Sequence, residues 1–219
     1  MSGYFIAGAG TDVGKTFVTR ALIECARRRE MAVAAYKPII TGYVPYDNKS
    51  DTALIIDALG GGTVEELSPW RYSVPLAPEH AAQAEGRTIA LAELDAWTQS
   101  VVKPDQLTLI ETIGGVMVPL NAQITSRDWM RQASLPVILV CGTYLGAISH
   151  ALTAVEALHA LEIPIAALVV NQTPQGADLI ATCESISRHV RHVGQVVAQR
   201  RVVSPKDATA IHTLLETLA

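Results

Sequence analysis

Residues Gly8 to Thr16 read Gly-Ala-Gly-Thr-Asp-Val-Gly-Lys-Thr, and they constrain the chain more than any other stretch. The apolar run Tyr4-Phe5-Ile6-Ala7 precedes them, and a helical pattern from Phe17 to Arg29 follows. A strand, a glycine turn and a helix in that order are the setting of a phosphate-binding loop. Glycines let successive backbone N–H groups turn inward towards an anion. The helix start adds its partial positive charge. In that setting Lys15 reaches the outer phosphates and the Thr16 hydroxyl serves a magnesium ion. Five residues separate Gly8 from Gly14, one more than in the usual loop, so this is a longer variant.

Strand and helix patterns then alternate to the end of the chain. Strands are expected at Gly3–Ala7, Met31–Tyr36, Leu107–Glu111, Pro136–Cys141, Ile163–Asn171 and His192–Val197. Helices are expected at Lys15–Arg29, Asp51–Leu59, Glu79–Ala84, Leu91–Val102, Ile124–Ala133, Gly146–Leu161, Gly176–His189 and Ser204–Leu218. In the last helix Ser204 is the expected cap and Pro205 the first helical position. Residues 41–50 hold Gly42, Pro45, Asp47 and Asn48 and read as a loop. There is no repeat, low-complexity tract or clear linker. The expected architecture is α/β, a doubly wound parallel sheet with helices on both faces, with residues 1–219 as one domain. A composition 49 % hydrophobic but only 5 % aromatic suits such an aliphatic core.

The net charge of −4 and the lack of a basic stripe argue against nucleic acid. Neither a signal peptide nor a span-length apolar run is read, so no membrane is expected and the cytoplasm is the default. Three widely spaced cysteines make no metal or redox motif, and Cys25 and Cys141 read as buried thiols.

Polar residues fall at strand ends: Lys15 with Thr16, Lys37, Asp51 and Glu111. Pro38 biases Lys37 away from helix. In a parallel sheet the carboxyl ends lie along one edge, where ligands bind and distant residues converge. Two carboxylates and a hydroxyl together suit Mg²⁺, and two lysines would neutralise a transferring phosphoryl group. The residues alone leave alternatives: Lys37 as a surface lysine, Asp51 as a helix cap, Glu111 as an idle acid. His150 reads as a satisfied helix residue. As a strand-end lysine, Lys37 is expected to be replaceable by alanine without harm to folding.

Several segments occur in one order: the Gly8–Thr16 loop, Lys37-Pro38 with Thr41-Gly42, Ser50-Asp51, Pro75 to Pro78, and Glu111 before a glycine turn. Leu135-Pro136-Val137-Ile138-Leu139-Val140 and Leu145-Gly146-x-Ile148-x-His150-Ala151 follow. Together they resemble the ATP-dependent dethiobiotin synthetases, from Gly3 to about Asn171. The resemblance implies ring closure of 7,8-diaminopelargonic acid with CO₂, ATP and Mg²⁺, through a carbamate and a carbamic-phosphoric mixed anhydride. It implies catalytic roles for Lys15, Lys37 and Thr11, and a metal site of Thr16, Asp51 and Glu111. Nucleotide contacts are implied for Asp12, Val13, Gly14, Lys15, Thr16, Phe17, Asp51, Glu111, Gly114, Asn171 and Gln172. Substrate contacts are implied for Thr41, Leu145, Gly146 and Ser149, the last three reaching the site of the other subunit of a homodimer.

The chain departs from that pattern in several places, among them Gln172 where the family has aspartate and Thr41 where it has serine. Where the family reads Glu-Gly-Ala-Gly-Gly, it has Glu111-Thr112-Ile113-Gly114-Gly115, which leaves less room for close backbone approach. The family's Ile-Pro after the last strand becomes Val196-Val197-Ala198-Gln199. Beside a degenerate regulatory domain that binds without turnover, which the presence of both lysines and both acids disfavours, two other readings stay open. One is a ligase or amidase of the same fold acting on another small acid. The other is a switch ATPase of the partition type, which the lack of a lysine in Gly8-Ala9-Gly10-Thr11 disfavours.

Overall fold

The computed structural model describes residues 3–218. A six-stranded sheet holds β1 (Gly3–Gly8), β2 (Val33–Tyr36), β5 (Leu107–Gly115), β6 (Val137–Cys141), β7 (Ile165–Asn171) and β8 (Val196–Gln199). Its order is β2-β5-β1-β6-β7-β8, and every pair is parallel. A two-stranded parallel ribbon, β3 (Ile39–Ile40) with β4 (Trp70–Arg71), stands beside it.

The helices are α1 (Lys15–Arg28), α2 (Asp51–Leu59), α3 (Val64–Leu67), α4 (Pro78–Ala84), α5 (Leu91–Val101), α6 (Ser126–Ala133), α7 (Ala147–His159), α8 (Leu179–His189) and α9 (Thr209–Leu218). No helix among the described residues is long and apolar enough to cross a membrane.

The central strands are apolar on both sides because both faces are covered. Phe5, Leu139 and Leu168 join one core with Trp129 of α6 and Leu158 of α7. Ile6, Ile138 and Val169 join the opposite core with Leu22 of α1 and Leu215 of α9. α1 begins directly after Gly14 and sets Val18, Ala21, Leu22, Cys25 and Ala26 inward; Arg27 and Arg28 occupy its last turn, where cations suit the dipole. α2 is capped by the Ser50 hydroxyl, which accepts from the Ala53 N–H, and it stops at Gly60, whose φ is +76°.

The doubly wound parallel sheet is as expected, but some boundaries differ. β5 runs on to Gly115, so Glu111 lies within the strand rather than at its end. The ribbon of two-residue strands and the one-turn α3 carry no periodicity to read. α8 starts at Leu179, because Asp178 rather than Gly176 caps it. Ser204 and Pro205 begin a 3₁₀ turn, Pro205–Asp207, and the last helix starts only at Thr209. The last strand is Val196–Gln199, so the expected His192–Val197 was shifted towards the amino end; only Val193 bridges earlier, to Ile165.

Candidate active site

The loop between β1 and α1 works by close approach. Gly14 has φ +92° and opens α1 without a side-chain cap. A Cβ there would lie 2.1 Å from Asn171 Nδ2, so the glycine lets the end of β7 touch the loop. A Cβ on Gly8 would lie 2.6 Å from the Gly10 carbonyl oxygen and 3.1 Å from Lys15 Nζ. That vacancy admits the Lys15 ammonium, which donates to the carbonyls of Gly10 (3.2 Å) and Gly114 (3.0 Å). Burial pulls the Lys15 pKa down, Glu111 opposes this, and Lys37 adds to the lowering. A cation held only by neutral carbonyls is ready to take an anion.

Glu111 reaches under the loop because of register. β5 pairs Glu111 with Ile6; then the pairing slips, so that Gly8 faces Gly115. Glu111 alternates with Ile110 and shares the side of Leu109, which packs in the α1 core. Thr16 and Thr19 lie three residues apart on α1 and face the same way. Glu111 Oε1 accepts from Thr16 Oγ1 at 2.7 Å and from Lys37 Nζ at 2.8 Å, and Oε2 accepts from Thr19 Oγ1 at 2.9 Å.

Lys37 follows directly on β2. Its N–H donates to the Leu67 carbonyl at 3.1 Å, and its own carbonyl accepts from Ser68 Oγ at 2.6 Å. The Ser68 hydroxyl in turn meets that of Thr52 at 2.8 Å. The Lys37 ammonium therefore stands between Glu111 and Asp51, bonded to both. Burial disfavours this ammonium, but Glu111 and Asp51 outweigh it and hold the pKa above the ordinary lysine value. For Asp51, burial acts to raise the pKa; Lys37 first, and then the Thr16 hydroxyl, overcome it and hold the carboxyl below its usual range.

Hard oxygens from Asp51, Glu111 and Thr16 meet at this point, and the Lys37 ammonium is already the cation between the two carboxylates. The donor chemistry of these oxygens is of the kind a divalent cation takes. Among the described residues no three His, Cys, Asp or Glu side chains form a metal cluster. Two carboxylates and a hydroxyl leave positions for water and phosphate oxygens, as Mg²⁺ prefers.

A cavity of about 610 Å³ opens over this cluster. Thr11, Asp12, Gly14, Lys15 and Thr16 line one side, and Lys37, Thr41, Asp51, Glu111 and Gly114 line the other. These expected site residues thus come together. Ile113 also lines the cavity while Thr112 is buried, so only one of the two departures from the glycine pattern meets the open space. Ile40, Tyr43 and Val44 add an apolar flank.

The other expected residues lie outside these walls. Val13 is buried and Phe17 packs against the α1 core. Asn171 Nδ2 donates to the Val13 carbonyl at 3.2 Å, tying β7 to the loop. Gln172, one residue past β7, is held by β8 and the residues after it: its N–H donates to the Gln199 carbonyl at 2.9 Å, and its Oε1 accepts from the Arg201 N–H at 3.1 Å. Gly146 opens α7 with φ +96°, and Leu145 before it is fully exposed. Ser149 is exposed one turn later, and His150 is occupied by the Tyr144 hydroxyl at 2.8 Å, as a satisfied helix residue would be. Cys25 and Cys141 are buried free thiols as expected, and burial pushes the Cys141 thiol up to about 12.

Three supporting hydroxyls escaped the reading of the sequence: Thr19, Thr52 and Ser68. None sits in a motif. The one available signal was the spacing of Thr19 from Thr16, which puts both on one helix face.

Comparison with known proteins adds to this geometry. A family model described as an AAA domain matches residues 2–206. The ATP-dependent dethiobiotin synthetase BioD of Methylobacterium nodulans is 45 % identical over 201 residues, covering 86 % of this chain and 89 % of the relative. That of Caulobacter sp. strain K31 is 38 % identical over 218 residues, covering 98 % and 95 %. Among solved structures, the cell division ATPase MinD of Pyrococcus furiosus superposes with a TM-score of 0.57 at 15 % identity, covering 99 % of both chains. The septum site-determining protein MinD from Pyrococcus horikoshii, complexed with Mg-ADP, gives 0.56 at 15 % identity, covering 99 % of this chain and 94 % of that one. At such identity the two MinD structures speak for the fold alone.

Proposed function

The chain belongs to the family of ATP-dependent dethiobiotin synthetases, and we propose that its strand-end cluster performs their ring closure. The substrates are 7,8-diaminopelargonic acid, CO₂ and ATP; the products are dethiobiotin, ADP and phosphate. One amine of the diamine takes up CO₂ as a carbamate. A carbamate oxygen attacks the γ-phosphorus and ADP leaves. The second amine then attacks the carbamoyl carbon of the mixed anhydride, phosphate departs, and the ureido ring is closed. No nucleophile from the protein is needed. Residues 1–219 act as one unit.

The chemistry asks the protein to hold two anions close together and to neutralise charge as it moves. Lys15 and Lys37 bind the carbamate and the γ-phosphoryl oxygens. During turnover Lys37 exchanges its carboxylate partners for these anionic oxygens. Thr11 orients the carbamate, and Thr41 contacts the diamine beside the apolar flank of Ile40, Tyr43 and Val44. Asp12 through Phe17 wrap the phosphates, Gly114 lies against them, and Asn171 and Gln172 contact the base. Thr16, Asp51 and Glu111 would hold Mg²⁺, which would offset the phosphate charge. In a homodimer, Leu145, Gly146 and Ser149 complete the partner's substrate site; the full exposure of Leu145 supports this.

The single observation that carries the reading is the Lys37 ammonium bridging Asp51 and Glu111 beside Thr16 and the Lys15 loop. Incubation with the diamine, bicarbonate and Mg-ATP should yield dethiobiotin and ADP in equal amounts. ATP breakdown that neither needs the diamine nor yields dethiobiotin would favour the switch ATPase instead.

A further inference from the structure

Glu111 divides its two oxygens between two tasks. Oε1 faces Thr16 and Lys37, where the metal would lie. Oε2 is turned away from them and bonded to Thr19 Oγ1 at 2.9 Å. Thr19 and Glu111 are both fully buried. The Thr19 hydroxyl also stands 3.1 Å from the Lys15 carbonyl. It has one hydrogen, and a carboxylate is the stronger acceptor of the two. The Thr19 side chain is β-branched and sits in a packed helix, so its rotamer is restricted. The bond therefore fixes the rotation of the Glu111 carboxylate about its last torsion.

We propose that Thr19 is a positioning residue that keeps Glu111 a one-oxygen ligand and thereby sets the preference of the site for Mg²⁺ over Ca²⁺. Mg²⁺ demands compact octahedral geometry and takes carboxylates through single oxygens. Ca²⁺ accepts six to eight oxygens and often takes both of one carboxylate. A carboxylate pinned through Oε2 can serve the first ion fully and the second only poorly. The inference rests on the metal site proposed above for Thr16, Asp51 and Glu111.

The test is ADP binding by titration calorimetry in EDTA, in Mg²⁺ and in Ca²⁺. In the wild type, Mg²⁺ should strengthen binding far more than Ca²⁺ does. Thr19→Val keeps the shape and removes the hydroxyl. It should cut the Mg²⁺ enhancement about tenfold, in the range usual for loss of a group that orients a metal ligand. The Ca²⁺ enhancement should hold or rise, and ADP binding in EDTA should not change. Thr19→Ser restores the hydroxyl and should restore the Mg²⁺ preference. A variant weakened equally towards both ions would overturn the proposal, as would a wild type with no preference. Should Thr19→Val not fold, Thr19→Ala removes the same bond with less packing demand and is read against the same ratio. If neither ion affects ADP binding to the wild type, the metal site itself is wrong. If the ions do affect it and the ratio ignores Thr19, only the positioning role is lost.

Discussion

At the phosphate end of the sheet's carboxyl edge, Lys15, Lys37, Asp51 and Glu111 answer one another around the first turn of α1. At the β8 end, three amide side chains, Asn171, Gln172 and Gln199, stand before Arg200 and Arg201 and bond to backbone rather than to charged side chains. The first cluster is charged, tightly cross-bonded and supported by hydroxyls. The three amides of the second are themselves neutral, and each side chain bonds to a backbone group. Gln199 is buried and its Oε1 has no hydrogen-bond partner among the described residues; its Nε2 donates to the Arg200 carbonyl. Charged groups interact strongly in a low-dielectric site, so removing one of them disturbs all the others. Neutral amides are only weakly coupled. The difference implies that reaction chemistry is concentrated at one end and that the other can vary at little cost.

The sharpest way to break the comparison is Lys37→Ala. Loss of a cation that meets the developing phosphoryl charge should cut dethiobiotin formation by about 10³-fold. The structure also corrects the expectation that this change spares folding. Lys37 is buried against Glu111, and its removal leaves that carboxylate short of a counter-charge. The unfolding free energy in EDTA should fall by about 3 kcal/mol. Mg-ADP should recover much of the loss, since a bound cation replaces the missing ammonium. Urea melts with and without Mg-ADP would decide it. Unchanged stability in EDTA would mean that the four charges are not coupled.

At the other end the same measurements should give smaller numbers. Asn171→Ala removes the tie to the Val13 carbonyl, a bond worth about 1 kcal/mol. ADP should bind about tenfold more weakly, which corresponds to about 1.4 kcal/mol. The enhancement of binding by Mg²⁺ should be untouched. If the Mg²⁺ enhancement also collapsed, the two ends would be one coupled network and the contrast would fail.

Acid should affect the charged end selectively. Asp51 has a folded pKa below its ordinary value of 3.8, so its ionised form stabilises the fold. That contribution is complete above 3.8 and is lost as the pH falls through the lowered folded value. The side chain is 48 % exposed, so the effect is modest. Wild type and Asp51→Asn, compared by urea melts in EDTA, should differ in stability above pH 3.8, and the gap should shrink as the pH falls below it. A gap that stays constant with pH would remove Asp51 from the ion-pair cluster.

The two ends were also unequally legible in the sequence. Lys15, Thr16, Lys37 and Asp51 could be placed because a glycine turn, a proline and a helix cap each mark a position locally. Glu111 was recognised, but its setting was not. Its pairing with Ile6 puts it under the loop, and a pairing between strands a hundred residues apart leaves no local mark. Thr19 and Ser68 were missed for the same reason, since a single hydroxyl acquires its role only from what the fold brings beside it. At the β8 end, the run from Val193 to Gln199 offers valines on both faces. Alternation could not choose its start, and the strand was expected several residues too early.

The mildest change is the most informative about the neutral end. Gln199 sits opposite Asn171 in the β7–β8 register, so the two side chains share the face towards α1. Its Oε1 is buried without a hydrogen-bond partner among the described residues. Gln199→Leu removes the orphaned acceptor and fills similar volume. It should leave stability unchanged or raise it by up to about 1 kcal/mol, because apolar replacement of an unpaired buried group is neutral or favourable. Dethiobiotin formation at saturating ATP should be unaffected. A loss of more than about 1 kcal/mol in a urea melt would show that the amide holds the β8 turn through the Arg200 carbonyl more firmly than the contrast allows. The neutral end would then be as rigid as the charged one, built from backbone bonds in place of ion pairs.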